Sequence, residues 1–183
     1  MYYILLAVAA IAVVGLGLAL SYNVFIALKN KSEEAFATMD VFLKKRFDLI
    51  PNLVEAVKGY ASHEQVTLEK VIKARNEAMK SQTLEERQAS ENILSGTLKS
   101  LFALSESYPD LKADSSFLNL QNQLQKVEED IAQSRKYYNG VVKSFNTKVE
   151  SFPDNLLAML LGFKKYPYFM IDEGERENVK VSF

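Results

Sequence analysis

The residues that could do chemistry are few, and their spacing matches no catalytic motif. The chain of 183 residues has one histidine, His63, and no cysteine, which excludes disulfides, thiolate zinc sites and cysteine nucleophiles. Glu64 follows His63 directly, but without a second histidine the metalloprotease motif is absent. Neither a Gly-rich phosphate loop nor a Gly-x-Ser-x-Gly elbow occurs. We therefore expect no catalytic residue, no metal ligand and no cofactor. We interpret His63 as a hydrogen-bonding residue of a surface or groove rather than as a pH sensor.

The charged residues are balanced in sign. The 22 Lys and Arg residues against 23 Asp and Glu residues give a net charge of −1, which lacks the basic excess of a nucleic-acid binder. The longest basic run, at residues 44–46, is interpreted as a solvated face whose aliphatic stems pack on the chain. Contact with anionic lipid headgroups is the alternative. On a straight helix Lys44 would lie about 24 Å from residue 28, beyond a Debye length, so that contact would require the helix to tilt or fold back.

An apolar N-terminal segment would anchor the chain in a membrane and so position the charged body that follows it. Residues 1–28 contain no charged side chain, and a run of this length spans a bilayer only as a helix. Tyr2, Tyr3 and Tyr22 flank it as in an aromatic belt. A cleaved signal peptide is disfavoured because no basic residue precedes the run and because the run is long. A buried core helix is disfavoured because such helices rarely stay uncharged over this length. The basic residues that follow the run predict that the N-terminus lies outside and the body in the cytoplasm.

The rest of the chain shows the periodicity of helices. Apolar residues recur every seven positions, as in the seam of a packed long helix, at Phe117, Leu124, Ile131, Tyr138, Phe145 and Phe152. The same spacing at Leu28, Ala35, Phe42 and Leu49 predicts that the membrane helix continues as a stalk. Pro51 predicts either a kink in that helix or a tight break before the next one. Thr83 and Glu86 match a capping box.

These patterns predict an all-α fold. An N-terminal transmembrane helix is followed by an up-and-down antiparallel helical bundle of three to four long helices, with coiled-coil seams, a short extra helix and an extended tail. We assign residues 1–28 to the transmembrane anchor, 29–152 to the bundle, and 153–183 to the short apolar helix and the tail. The short helix would end at Gly162, and alternation at residues 179–183 suggests a strand-like end. The short helix is interpreted as a cap on the open end of the bundle, or alternatively as a contact with the membrane or a second subunit.

Three segments resemble the LemA family of bacterial membrane proteins. They are SYNV at 21–24, MDVFLKKRFDLIPNLVEAVKGYASHE at 39–64 and RKYYNGVVKSFNTKVESFP at 135–153. The resemblance implies a membrane helix with a short outward-facing N-terminus and a soluble antiparallel bundle, but it supplies no mechanism. The motif positions it implies are Tyr22, Asn23, Asp40, Lys45, Arg46, Asp48, Pro51, Asn52, Lys58, Gly59, Tyr60, His63, Glu64, Arg75, Arg135, Tyr138, Asn139, Asn146, Phe152 and Pro153. Glu129 stands where the family often has Asn, and Phe145 where Tyr is frequent.

The expected function is that of a non-enzymatic, membrane-anchored scaffold or oligomeric assembly component of the bacterial envelope. It would be a single-pass protein of the inner membrane, contacting lipid through residues 1–28, copies of itself and other envelope proteins, and no nucleic acid. Gly15 and Ala19 form a small-xxx-small pair for helix contact.

The alternative function is that of a signalling or stress-response adaptor that binds a protein through residues 48–64. Asn139 and Asn146 would set register inside the bundle or contact a subunit. The interaction candidates are Lys44, Lys45, Arg46, Asp48, Asn52, Lys58, Tyr60, His63, Glu64, Tyr138, Asn139, Asn146, Phe152, Leu157, Leu160, Leu161 and Phe163.

Overall fold

The computed structural model of the chain describes residues 1–170, and this part is all-α, as predicted. Within it there are six helices and no strand. The helices are α1 (Tyr2–Lys58), α2 (Gln65–Lys80), α3 (Leu84–Ser105), α4 (Pro109–Ala113), α5 (Ser115–Glu150) and α6 (Asp154–Leu161). The short helix α4 lies in the connection between α3 and α5. The strand-like alternation predicted for residues 179–183 lies outside the described residues.

The helix ends follow local sequence signals. The Thr83 side chain accepts from the backbone N–H of Glu86 while the Glu86 carboxylate accepts from the backbone of Thr83, so α3 begins with the predicted capping box. Asp114 caps α5 by accepting from the backbone N–H of Phe117 at 2.8 Å. Gly162 ends α6 with φ of 74°, the left-handed conformation that glycine adopts without steric cost.

Helix α1 is longer than the apolar run and passes through Pro51. It contains an 18-residue window with a mean hydropathy of 2.7, of which nothing is buried in the structure, and it continues as the predicted stalk. The sequence left open whether Pro51 lies within one helix or at a break between two helices. In the structure it lies inside α1, which is continuous. The interruption lies instead at residues 59–64. Gly59 favours this position because glycine has a low helix propensity.

The chain divides into two compact units, and each has its own core. The first comprises Met1–Thr38 and Ser134–Tyr168, and its core includes Phe25, Phe145 and Ala158. The second comprises Met39–Gln133 and, among the described residues of the C-terminal segment, Phe169 and Met170. In the second unit, the short connection at residues 81–83 reverses the chain so that α2 and α3 pack on each other as neighbours.

The packed seam of α1 is offset from the apolar series that indicated the stalk. A fully buried seven-residue series consists of Phe25, Ser32, Met39, Arg46 and Leu53. In the apolar series only Ala35 is buried, and Leu28, Phe42 and Leu49 are half-buried beside the seam. Apolar type alone does not locate this seam, because two of its members are polar. On α5 the predicted series is confirmed from Phe117 to Phe145, whereas Phe152 is 81% exposed because α5 ends at Glu150.

Candidate interaction surface

The second unit contains a buried ion cluster built on Arg46. The side chains of Arg46 and Glu91 are fully buried and form an ion pair. A second carboxylate, that of Glu128, accepts from Nη1 of Arg46 at 2.9 and 3.1 Å, and the Glu128 side chain is 39% exposed. The hydroxyl of Ser95 lies 3.4 Å from the same Nη1 atom. One cation from α1 is thus bonded to α3 and α5, and two carboxylates face it.

This cluster corrects one interpretation drawn from the sequence. The solvated-face interpretation holds for Lys44 and Lys45, which are exposed, but it is wrong for Arg46, which is a core residue and cannot contact lipid or a partner. Glu91 was not singled out at all. The seven-residue spacing of Arg46 from Met39 and Leu53 was the sequence signal that could have placed it in the core.

A second arginine compensates for the proline inside α1. Pro51 has no N–H, so the carbonyl of Phe47, four residues earlier, loses its usual helical donor. Nε of Arg75 donates to that carbonyl at 2.7 Å. The guanidinium also donates to the side-chain oxygen of Asn76 at 3.1 Å. Arg75 therefore ties α2 to α1 at the point where the backbone of α1 needs a donor.

The connections at one end of the second unit carry a polar group of side chains. The Tyr60 hydroxyl donates to the Asp114 carboxylate at 3.1 Å, and the Tyr108 hydroxyl donates to Glu64 at 3.3 Å. The bond from the Phe117 N–H lowers the pKa of Asp114, with a smaller contribution from Tyr60. The hydrogen bond to the Asp114 carboxylate raises the pKa of Tyr60. His63 is exposed and lies in the turn before α2.

The exposed candidates on α1 lie beside two depressions of the second unit. Lys45, Asp48 and Asn52 line a shallow cavity of about 520 Å³ whose opposite side is formed by α5. Lys58 lies at the rim of a larger groove of about 890 Å³ between α1 and α2. The apolar floor of this groove includes Val54 and Leu68, and charged side chains of both helices surround it.

In the first unit, two predicted candidates bind the C-terminal segment and are not free for an outside partner. Asn146 is buried, and its amide both donates to the carbonyl and accepts from the N–H of Tyr166, each at 2.9 Å. The buried Tyr138 donates its hydroxyl to the carbonyl of Pro167 at 3.0 Å, and burial raises the pKa of this phenol. Asn139 is half-buried beside them. These contacts hold residues 166–167 against α5.

The apolar interaction candidates near α6 fall into two groups, one packed on the core and the other exposed. Leu157 and Phe163 are half-buried and pack against the core formed by Phe25, Phe145 and Ala158. Phe163 stacks on Phe25 with ring centroids 4.8 Å apart. The other side is exposed to solvent, with large apolar side chains at Phe152 (81%), Leu156 (55%), Met159 (77%), Leu160 (80%) and Leu161 (45%).

Nothing in the part of the chain that the structure describes gathers a set of metal-ligating side chains. Within residues 1–170 no group of three or more His, Asp or Glu residues could hold a metal ion. The polar candidates brought together by the fold contact other helices of the same unit. Their geometry is that of helix-to-helix contacts around a core rather than of groups converging on a substrate.

Comparison with known proteins places this architecture in a family. The LemA family model matches residues 35–183. Protein LemA of Metamycoplasma hominis is 27% identical over 159 residues, which cover 84% of this chain and 71% of that protein. Magnetosome protein MamQ 2 of Paramagnetospirillum magneticum and Magnetosome protein MamQ of Magnetospirillum gryphiswaldense are each 22% identical over 178 residues. Those matches cover 83% of this chain and 65% of each relative.

None of these relatives bears the name of an enzyme. The chain spans slightly less than two thirds of the MamQ proteins. Together with the apolar start of α1, the relatives indicate a membrane-anchored helical protein. With the family model covering most of its length, the chain belongs to the LemA family.

Proposed function

We propose that this protein is a non-enzymatic scaffold of the bacterial envelope, anchored by the start of α1 and assembled with copies of itself. The observation that carries the proposal is that the polar side chains bond the helices of the body to one another. Arg46, Arg75 and Asn146, which motif resemblance marked out, each bond to another helix or segment of the same unit. A body whose distinctive polar residues join its helices is suited to present surfaces in a fixed geometry.

The anchor supports a single-pass arrangement in the inner membrane. The basic residues Lys29 and Lys31 follow the apolar run, whereas no basic side chain precedes it. This asymmetry favours an outside N-terminus and a cytoplasmic body.

Single cysteines test this arrangement directly, because the natural chain has none. We expect Tyr2→Cys to react with an impermeant maleimide on intact spheroplasts, and Lys112→Cys to react only after the membrane is opened. Extraction with alkaline carbonate should leave both variants in the membrane. The reverse labelling pattern would refute the orientation, and release by carbonate would refute the anchor.

Self-association is tested on the full-length protein in cells. We expect an amine-directed crosslinker to produce discrete multiples of the 20.7 kDa chain, and native electrophoresis in mild detergent to show the same species. A monomer in both measurements would refute the assembly, while leaving the anchor intact.

The groove between α1 and α2 favours one other function, that of an adaptor. Its apolar floor, with Pro51, Val54 and Leu68, and its charged rim resemble a site for an amphipathic helix of a partner protein. Photo-crosslinking residues placed at Lys58 and Lys73, both at the rim, should then capture one common protein, and a crosslinker at the exposed Lys143 should not. Adducts of this chain with itself alone would exclude the adaptor function.

A further inference from the structure

We infer that α6 is a second membrane element, which lies in the headgroup region beside the exit of α1 and places its exposed apolar stripe in lipid. The inference rests on the anchor of the proposed function and extends it to a segment that crosses no membrane. The exposed stripe contacts a phospholipid bilayer with anionic headgroups. Three observations support this assignment: the position of α6 beside α1, the apolar side chains that α6 exposes, and the charges around them.

The position follows from contacts of α6 with α1 within the first unit. Residues 4–20 form the part of the apolar run without hydrogen-bonding side chains, and the next residue, Ser21, bonds through its hydroxyl to the Asp154 carboxylate at the start of α6. Just after the end of α6, Phe163 stacks on Phe25. We place the membrane exit at the end of the 4–20 run rather than at residue 28, because Phe25 is buried in the core of the first unit and does not face lipid. Because four residues of helix span about 6 Å, both ends of α6 are attached to α1 within about one turn of that point.

The first attachment is reinforced from α5. Nζ of Lys148 lies 2.7 Å from the Asp154 carboxylate and 4.9 Å from the ring centroid of Phe25. The hydrogen bonds from Lys148 and from Ser21 lower the pKa of Asp154, so the carboxylate stays ionised beside its cation. The start of α6 is therefore held by two helices at the level of the membrane exit.

The exposed stripe has the spacing of an interfacial helix. Leu156, Met159 and Leu160 lie at i, i+3 and i+4, on one side of α6, and they are 55%, 77% and 80% exposed. Phe152, just before α6, is 81% exposed. The opposite side of α6 carries Ala158, which is buried in the core of the unit. A helix of this kind buries its apolar side about 5–10 Å into the boundary between headgroups and acyl chains.

The charge around the stripe suits an anionic surface. Between residues 151 and 170 the sequence has one acidic residue, Asp154, and it faces Lys148 rather than solvent alone. Lys164 and Lys165 lie shortly after α6, beyond Gly162 and Phe163, and are exposed, so their ammonium groups can reach the headgroups while the stripe lies deeper. The Lys165 ammonium also pairs with Glu150.

The absence of tryptophan from the chain allows a direct measurement of depth. Single-tryptophan variants of the full-length protein would be reconstituted into vesicles of phosphatidylcholine and phosphatidylglycerol, with and without bromine on the upper acyl chain. Leu160→Trp and Met159→Trp report on α6. Leu16→Trp, within the apolar run, is the positive control, and Ile93→Trp, on α3 and 55% exposed, is the matched negative control.

We expect brominated lipid to quench Leu160→Trp and Met159→Trp by at least about half of the quenching of Leu16→Trp, as shallow insertion implies, while Ile93→Trp stays unquenched. Quenching at Leu16 without quenching at either α6 position would overturn the inference and leave the anchor standing. A blue-shifted but unquenched signal at both α6 positions would also overturn it, because protein would then cover the stripe. Absence of quenching at Leu16 would refute the anchor and the inference together.

Discussion

Among single residues, the buried ion cluster has the largest expected effect on stability. Arg46 and Glu91 are both fully buried, while Glu128 reaches solvent. Removing one partner of a buried ion pair leaves the other charge without compensation in a medium of low dielectric constant, whereas replacing both by apolar residues can be nearly neutral. The cluster therefore ties stability to the simultaneous presence of two residues that lie 45 positions apart in the sequence.

Replacement of Arg46 tests this coupling. We expect Arg46→Met to lower the free energy of unfolding by about 3–5 kcal/mol, and the double variant Arg46→Met/Glu91→Leu to recover a large part of that loss. The measurement is equilibrium denaturation of the full-length protein in detergent. Lys45→Met, at an exposed neighbouring position, is the control and should change stability by less than about 0.5 kcal/mol. Equal losses in the single and the double variant would contradict the coupling.

The bond from Arg75 to the Phe47 carbonyl predicts that Arg75 and Pro51 depend on each other. With proline present, Arg75→Met leaves that carbonyl without its donor, and we expect a loss of about 1–3 kcal/mol. In a Pro51→Ala background the loss should be clearly smaller, because the restored N–H at position 51 can bond to the same carbonyl. A double-mutant cycle by denaturation measures this difference. Lys73→Met, exposed on the same helix, should show no such dependence, and additive losses for Arg75 and Pro51 would count against the compensation.

The lowered pKa of Asp154 predicts a pH dependence for the attachment of α6. Because the folded-state pKa lies below the usual value of 3.8, the stabilisation is complete above that value and is lost as the pH falls through the lowered pKa. We expect the wild-type protein to lose more stability between about pH 7 and about pH 3 than Asp154→Asn does. Asp110→Asn, which replaces an exposed carboxylate, should behave like the wild type. An identical loss in wild type and Asp154→Asn would refute the prediction.

Among the helices, α5 both packs its apolar seam in the core and binds the segment that follows α6. Its polar side chains Tyr138 and Asn146 occupy buried positions on the helix and bind the backbone of residues 166 and 167. Those backbone groups have no regular secondary structure to satisfy them, so the two side chains take the place of a helical or sheet partner. The segment after α6 is therefore held by side chains of another element.

Loss of Asn146 should release that segment. We expect Asn146→Ala to increase tryptic cleavage after Lys164 and Lys165, because the N–H and carbonyl of Tyr166 lose their partner, at a cost of about 1–3 kcal/mol. Limited proteolysis followed by mass spectrometry measures the cleavage. Asn52→Ala, at an exposed position of α1, should leave the rate unchanged. Unchanged cleavage in Asn146→Ala would show that other contacts hold the segment.

Helix starts were easier to predict than helix interruptions. The capping box at Thr83 was readable because its hydrogen bonds are local, within three residues of sequence. The continuity of α1 through Pro51 was not readable, because the compensating donor is Arg75, which lies 24 positions away in the chain. Local chemistry alone made Pro51 a better candidate for a break than Gly59.

For the chain as a whole, the membrane helix offers a test of self-association. Gly15 and Ala19 lie one helical turn apart and would let two α1 helices approach closely. Gly17 is rotated from Gly15 by about 200° around the helix and lies on the opposite side. We expect Gly15→Leu to reduce the crosslinked multiples in cells and Gly17→Leu to leave them unchanged. Equal effects of the two variants would refute a contact through this side of α1.

The sequence by itself determined the apolar anchor, the all-α class, most of the α5 seam and the capped start of α3, because these depend on composition, periodicity and bonds between near neighbours. Only the tertiary structure decided that Arg46 is a core residue, that Arg75 bonds to the carbonyl left by Pro51, and that Asp154 meets Ser21. Each of those facts joins residues far apart in the chain. A single sequence does not say which distant side chain arrives to satisfy a buried charge or an unpaired backbone group.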